Sequence, residues 1–194
     1  MYHLQGDGNC FYRSFLFAYL ETLLHHYLSD LDATREEAEA ERQRFLQVVT
    51  HSKDQLVQLG YEEMAIETFY DLLVELLQDL FSYSEQSLLD LFQEDGQSDY
   101  YTWFMRLLTA GAIRGEASRF FPFLPDDVLG QANHGIFSKE MAHGMDDEEE
   151  IKRKVATYCR QEVEPMGRES EQVHIIALAE YLNVIVSIEY LDGR

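Results

Sequence analysis

The segment from Cys10 to Leu28 constrains the fold more than any other part of the chain. It is apolar on nearly every side of a helix, with only a few polar interruptions. A surface helix has one apolar stripe, whereas a helix that is apolar all round is buried. We therefore predict a central core helix here, whose apolar members include Phe11, Phe15, Leu16, Phe17, Leu20, Leu23, Leu24 and Leu28.

Helical periodicity continues through the first two-thirds of the chain. Thr34 and Glu37 have the spacing of a capping box, which predicts a helix from Thr34 toward Ser52, followed by a short helix that closes at Gly60. The same periodicity predicts helices over residues 65–80, 85–92, 99–108, 151–162 and 172–181.

The remaining segments break this helical pattern. Residues 121–150 contain two of the three prolines, several glycines and an acidic run, which together predict a long flexible loop. The β-branched run from Val184 to Ile188 is typical of a buried strand, predicted over 183–190. The expected fold class is therefore α/β in the α+β sense, with a helix-rich first two-thirds packed on a sheet.

Length and charge limit the classes of function. A chain of 194 residues fits one domain, and we expect a monomer. Its net charge of −21 would repel nucleic acid and anionic membranes and would attract a basic protein partner. Only two cysteines occur and the N-terminus lacks the pattern of a signal peptide, so a cytoplasmic protein is expected, with a nuclear location as the alternative.

Cys10 is the candidate nucleophile because of its position. Asp7, Gly8 and Asn9 favour a turn, and Cys10 then begins a helix, whose N-terminal partial charge stabilises a thiolate. Such a turn can also aim main-chain N–H groups at the oxyanion of a tetrahedral intermediate. From the residues alone, a buried structural cysteine is the competing interpretation, and it is the interpretation we give to Cys159.

Three ordered blocks of the sequence carry a resemblance to a known family. The first is Gly6-Asp7-Gly8-Asn9-Cys10-Phe11-Tyr12-Arg13-Ser14-Phe15. The second is Ser98-Asp99-Tyr100 followed by Met105-Arg106-Leu107-Leu108-Thr109. The third runs from Cys159-Arg160-Gln161-Glu162-Val163-Glu164-Pro165-Met166 to His174-Ile175-Ile176-Ala177-Leu178-Ala179. Together they resemble the otubain branch of the ovarian-tumour-domain (OTU) cysteine deubiquitinases, and three blocks in the same order are much more specific than one short motif.

The resemblance implies a papain-like cysteine protease fold with a mixed sheet, which hydrolyses the isopeptide bond between the C-terminus of ubiquitin and a lysine. It implies Cys10 as nucleophile, Asp7 at the oxyanion-hole position, and Gly8 and Asn9 as shapers of the turn. Implied partners are ubiquitin and polyubiquitin, and ubiquitin-conjugating enzymes are a further candidate class. No cofactor and no metal is implied.

The general-base histidine of the family, and its Asp or Asn partner, match no residue of this chain. His174 matches a family position that is not the base, and His25 and His26 lie too far along the helix of Cys10 to reach its sulfur. The resemblance therefore implies a chain truncated at the C-terminus relative to the family.

Three hypotheses remain open at this point. The chain is a deubiquitinase whose sequence is incomplete, a catalytically inactive ubiquitin-binding pseudoenzyme, or an acidic helical adaptor with an incidental cysteine. The acidic run from Asp146 to Glu150 is either a solvated loop or helix start, or a landing patch for the basic face of ubiquitin.

Overall fold

Helices account for all the regular secondary structure in the part of the chain that can be described. The structure is a computed structural model that describes residues 7–93, 96–125 and 145–188, except for the side chains of 145–147. The helices are α1 (Cys10–Tyr27), α2 (Asp32–Gln58), α3 (Glu63–Asp79), α4 (Glu85–Gln93), α5 (Gln97–Gly115), α6 (Ala117–Phe120), α7 (Met145–Tyr158) and α8 (Gln172–Leu182). Single 3-10 turns occupy Leu80–Ser82 and Phe121–Phe123, and a π-helical turn occupies Cys159–Val163.

The predicted core helix is confirmed as α1, which lies among α2, α4 and α5. Tyr12, Leu16, Leu20 and Leu24 are completely buried along it. Burial of each such leucine contributes about 1.5–3 kcal/mol before the entropic cost of ordering the side chain. This packing fixes α1, and it therefore also fixes where the first residue of α1, Cys10, stands.

A second cluster of buried residues joins the end of α5 to α6, α7, the π-helical turn and α8. Ile113, Val155, Tyr158 and Val163 are buried within it. Cys159 is also buried there, and this burial raises the pKa of its thiol. The prediction that Cys159 is a core residue is confirmed.

Helix α2 differs from its prediction at both ends. It begins at Asp32 after the N-cap residue Leu31, so the capping box predicted at Thr34 is wrong. It also continues without a break to Gln58, because buried positions recur along one face through Leu56. Gly60, with φ +90°, then ends the helix in a Schellman motif, in which the Tyr61 amide donates to the Leu56 carbonyl.

The predicted sheet is not found among the residues that the structure describes. Asn183 ends α8 with φ 52°, and the predicted strand Val184–Ile188 pairs with no other strand in that part of the chain. A strand needs a hydrogen-bonding neighbour, so β-branched composition alone does not form one. Ile185 is fully exposed as a result, and residues 189–190 lie outside the described residues.

The prediction of a loop over 121–150 is wrong at both ends. Phe121–Phe123 form a 3-10 turn, and α7 starts at Met145 rather than at Ile151. Residues 126–144 lie outside the described residues. No helix in the described ranges is long and apolar enough to cross a membrane.

Candidate active site

Cys10 is the first residue of α1 and is exposed to solvent. The amide of a first helical residue has no acceptor within its own helix, so it points out of the helix end beside the side chain. The competing interpretation, a cysteine sealed in the core, is therefore wrong for Cys10. Buried Cys159 shows the contrast within the same chain.

Asp7 folds back over the turn that precedes Cys10. Its carboxylate accepts hydrogen bonds from the Asn9 amide N–H at 2.9 Å and from Asn9 Nδ2 at 3.2 Å. It also pairs with Arg13 Nη2 at 3.0 Å. Partial burial opposes ionisation, but the hydrogen bonds from Arg13 and Asn9 outweigh it and lower the pKa of Asp7.

This geometry changes one expectation about the oxyanion hole. The sequence predicts that the turn offers its main-chain N–H groups to a developing oxyanion, but the Asn9 N–H already donates to Asp7. Asp7 therefore acts on the turn through its carboxylate. The amides of Asp7, Gly8 and Cys10 remain candidates among the described residues for binding an oxyanion, and Asp7 is the position that the resemblance implies.

Arg13 links the turn to helix α5. Its Nη2 bridges Asp7 and Asp99 Oδ1, the latter at 2.8 Å. The Arg13 side chain is 8% exposed whereas the Asp99 carboxylate is half exposed. Two carboxylates around one mostly buried guanidinium raise the pKa of Arg13, although its burial acts in the opposite direction.

Arg106 is the residue that sequence reasoning missed. It is fully buried on α5, and its Nη2 donates to the Gly8 carbonyl at 2.9 Å and to Asn9 Oδ1 at 2.9 Å. Its guanidinium also lies over the ring of Tyr12, 4.7 Å from the centroid. Burial lowers its pKa. A lone arginine inside the apolar run from Phe104 to Leu108 was the available signal.

The turn also lies against a loop that follows the π-helical turn. The Gly167 amide donates to Asn9 Oδ1 at 2.9 Å. Gly8 and Gly167 both have positive φ, at 75° and 82°. A Cβ placed on Gly8 would stand 2.2 Å from the Gly167 carbonyl oxygen, so only glycine fits there.

None of the histidines that the structure describes hydrogen bonds to Cys10. His174 is buried, its Nδ1 accepts the Glu171 amide at 3.1 Å, and its Nε2 contacts the Tyr158 hydroxyl at 2.7 Å. Burial and then the charge of Arg106 lower its pKa to about 4. Both ring nitrogens are therefore engaged, as a structural role predicts. His25, His26 and His51 are exposed, whereas His3, His134 and His143 lie outside the described residues.

The acidic run forms part of the first turns of α7. Glu148 and Glu149 pair with Lys152, and Glu150 pairs with Arg153. These local pairs neutralise much of the described acidic charge, which favours the interpretation as a solvated helix start. Within the ranges described, no group of three or more histidine, cysteine or acidic residues is arranged to hold a metal ion.

Comparison with known proteins identifies the family. The sequence model described as Peptidase C65 Otubain matches residues 1–194. The chain belongs to the otubain family. Human "Ubiquitin thioesterase OTUB1" is 35% identical over 187 residues, which cover 96% of this chain and 55% of that protein. The Arabidopsis thaliana "OVARIAN TUMOR DOMAIN-containing deubiquitinating enzyme 1" is 35% identical over 193 residues, covering 97% of this chain and 52% of that protein.

Solved otubain structures have the same fold. A ceOTUB1 complex with ubiquitin aldehyde and UBC13~Ub superposes with a TM-score of 0.69 at 24% identity, over 93% of this chain and 59% of that one. A complex of h/ceOTUB1 with ubiquitin aldehyde and UBCH5B~Ub gives a TM-score of 0.68 at 25% identity, over 93% and 57%. The fold is thus the papain-like fold of otubains. The chain spans about half the length of the curated relatives named above.

Proposed function

We propose that this otubain is a cysteine-type deubiquitinase that hydrolyses the isopeptide bond between the C-terminus of ubiquitin and a lysine. The observation that carries the proposal is an exposed Cys10 at the N-terminus of α1, preceded by a turn that charged side chains hold at several points. Relatives named ubiquitin thioesterase support the choice of substrate.

The chemistry is acyl transfer through a thioester. The Cys10 thiolate attacks the carbonyl carbon of the ubiquitin C-terminal glycine, and the carbonyl oxygen becomes an oxyanion that accepts hydrogen bonds from the Gly8 and Cys10 amides. The C–N bond then breaks and the lysine amine leaves with a proton. Water hydrolyses the thioester and returns the thiol. Each such oxyanion donor is worth about 10²–10³ in rate.

The proton transfers require a general base. His174 is unsuited to this role because both its ring nitrogens are engaged inside the core. We propose that the base comes from outside the described residues. We propose likewise that the strands that would complete a mixed sheet with Val184–Ile188 come from outside the described residues. Ile185 and Ile188 are exposed, which is unusual for apolar side chains in such a run.

The alternative is a ubiquitin-binding pseudoenzyme, and one experiment separates the two. The protein is assayed with a fluorogenic ubiquitin substrate beside Cys10→Ala, and ubiquitin binding is measured in parallel. Cys159→Ala is the matched control, because it removes the other thiol from the core. Turnover that Cys10→Ala loses and Cys159→Ala retains supports the hypothesis of a deubiquitinase. Binding without turnover by the unsubstituted protein supports the pseudoenzyme.

We further propose that an exposed apolar patch on α3 and α5 contacts a ubiquitin-conjugating enzyme. The patch consists of Phe69, Tyr100 and Trp103. Tyr100 is 43% and Trp103 40% exposed, and the Phe69 ring lies 5.7 Å from Tyr100 and 4.7 Å from Trp103. Exposed aromatic clusters are typical of protein interfaces. Conjugating enzymes in the otubain complexes above suggest this class of partner.

This partner is tested by pull-down and titration with a conjugating enzyme charged with ubiquitin. Trp103→Ala is expected to weaken binding about tenfold or more and to leave turnover of a minimal ubiquitin substrate unchanged. Phe123→Ala is the control, because Phe123 is 72% exposed outside the patch. Equal binding by both variants would remove the patch from consideration.

A further inference from the structure

We propose that Arg106 is a positioning residue that, together with Asp7, sets the orientation of the Gly8–Asn9 peptide and so aims the flanking amides at the oxyanion. The inference rests on the proposed function, since it concerns the same acyl-transfer site. It assigns a role in that site to a side chain that lies wholly inside the protein.

One peptide unit is held at both of its edges by opposite charges. Its carbonyl oxygen, on Gly8, accepts from Arg106 Nη2 at 2.9 Å. Its N–H, on Asn9, donates to Asp7 Oδ1 at 2.9 Å. Because a peptide is planar, two restraints on opposite edges fix its rotation about the chain direction. The amides of Gly8 and Cys10, which flank this peptide, inherit their directions from it.

The Asn9 side chain adds a second restraint through the same arginine. Asn9 Oδ1 accepts from Arg106 Nε at 3.2 Å, from Arg106 Nη2 at 2.9 Å and from the Gly167 amide at 2.9 Å. Arg106 also donates to the carbonyls of Val163 and Arg168, at 2.9 Å and 2.5 Å. It therefore ties the turn to the two ends of the chain segment that packs against it.

Residues of α5 position both of the charged groups that hold the Gly8–Asn9 peptide, the Arg106 guanidinium and the Asp7 carboxylate. Arg106 acts directly, whereas Asp99 acts through Arg13, which pairs with Asp7. Asp99 and Arg106 are seven residues apart, or about two helical turns, and so lie on one face of α5. The position of a single helix thus controls both edges of the Gly8–Asn9 peptide.

This arrangement requires the guanidinium of arginine and not its charge alone. Arginine has five N–H donors fixed in a plane, whereas lysine places three donors on one nitrogen. The Arg106 acceptors surround the guanidinium on several sides, and the plane packs over Tyr12. Arg106→Lys keeps the positive charge near Cys10 and is expected to lose the simultaneous hold on Gly8 and Asn9.

Three measurements on Arg106→Lys test the proposal. Turnover of a fluorogenic ubiquitin substrate is expected to fall about 10- to 100-fold in kcat with little change in KM, as for a small misplacement of catalytic groups. Affinity for ubiquitin aldehyde is expected to fall by a similar factor. The Cys10 thiol adds to the aldehyde carbonyl carbon, and the carbonyl oxygen then becomes an oxyanion that needs the same donors. Alkylation of Cys10 by iodoacetamide forms no oxyanion and is expected to keep its rate within about twofold.

Arg114→Lys is the matched control, because Arg114 lies on the same helix and makes similar contacts away from the turn. Its Nη2 donates to the Leu59 carbonyl, and its guanidinium lies 4.6 Å from the Tyr61 ring centroid. Circular dichroism and thermal unfolding are recorded for both variants. Arg114→Lys is expected to retain kcat and affinity for ubiquitin aldehyde.

The possible results are distinct. Equal losses in Arg106→Lys and Arg114→Lys, or a parallel loss of Cys10 alkylation, would mean general loosening and would overturn the inference. Unchanged kcat in a folded Arg106→Lys would also overturn it. If Arg106→Lys fails to fold, Asp99→Asn, at a half-exposed position, provides the test, with a smaller fall in kcat expected and unchanged kcat counting against the inference. If the unsubstituted protein neither cleaves the substrate nor binds ubiquitin aldehyde, the proposed function itself fails.

Discussion

The backbone of Gly8 lies so close to the backbone of Gly167 that no side chain fits between them. A Cβ built on Gly8 would stand 2.2 Å from the Gly167 carbonyl oxygen, and Gly8 has φ +75°. Gly8→Ala is therefore expected to displace the turn before Cys10. We expect a loss of about 2–4 kcal/mol in the free energy of unfolding and at least a tenfold loss of turnover, measured by urea unfolding and substrate cleavage.

Gly60→Ala separates the clash at Gly8 from the cost of positive φ. Gly60 has φ +90°, but nothing lies within 4 Å of a Cβ placed on it. Gly60→Ala is therefore expected to lower the free energy of unfolding only by the cost of positive φ, about 1–2 kcal/mol, and to leave substrate turnover unchanged. Equal effects of the two substitutions would contradict the close approach of Gly8 and Gly167.

The stability of the protein is expected to fall on mild acidification because of His174. Its pKa is about 4 in the folded protein and 6.5 ordinarily, so the unfolded chain takes up the proton first. The stabilisation is complete above about pH 6.5 and is lost as the pH falls toward 4. Urea unfolding at pH 7 and pH 5 is expected to show a loss of about 2 kcal/mol from this group.

The hydrogen bonds of His174 identify the variant that tests this pH dependence. Because Nδ1 accepts the Glu171 amide, the neutral ring carries its proton on Nε2, facing Tyr158. His174→Asn can still accept that amide but does not titrate, so its pH dependence should be flatter. His51→Asn, at an exposed position, should keep the slope of the unsubstituted protein. Parallel slopes in all three proteins would exclude His174 as the cause.

Arg42 is expected to stabilise the end of α3 from its place on α2. Its Nη1 donates to the carbonyls of Leu77 and Gln78, at 3.0 Å and 3.3 Å, and the residue is only 8% exposed. Arg42→Met keeps apolar length but leaves these terminal carbonyls without their donor. Thermal and urea unfolding should show a loss of about 1–3 kcal/mol.

Arg35→Met is the comparison for Arg42. Arg35 also lies on α2 and also donates to backbone carbonyls, those of Tyr27 and Ser29, but its side chain is 47% exposed. Water can replace an exposed donor, so a change of about 0.5 kcal/mol is expected. A larger effect for Arg35 than for Arg42 would contradict the role of burial.

The sequence predicted those parts of the fold that depend on local pattern. All-round apolarity identified α1 as the core helix, and the turn-favouring residues before Cys10 placed it at the helix start. The helix start predicted at Thr34 was wrong because a capping-box pattern does not decide between neighbouring start points. The strand predicted at Val184–Ile188 was not found because strand pairing depends on residues elsewhere in the chain.

The long-range contacts of the site could not be predicted from the sequence. Arg106 and Gly8 are 98 positions apart, and Asn9 and Gly167 are 158 apart. A single arginine in an apolar run is compatible with a side chain that reaches the surface as well as with a buried one. Only tertiary packing shows that its acceptors include the Gly8 carbonyl and the Asn9 side-chain oxygen of the turn before Cys10.

Asp7 and Asp99 share Arg13, and their different exposure predicts different effects of removing each charge. In Asp7→Asn, the new amide would face the donors of Arg13 and Asn9, at a side chain that is 31% exposed. We expect a loss of about 1.5–3 kcal/mol in stability and a fall in kcat of at least tenfold. Asp99→Asn acts at a half-exposed carboxylate and should cost at most about 1 kcal/mol, with a smaller fall in kcat. Unfolding in urea and substrate turnover, measured on both variants, test this order. A greater loss from Asp99→Asn than from Asp7→Asn would contradict it.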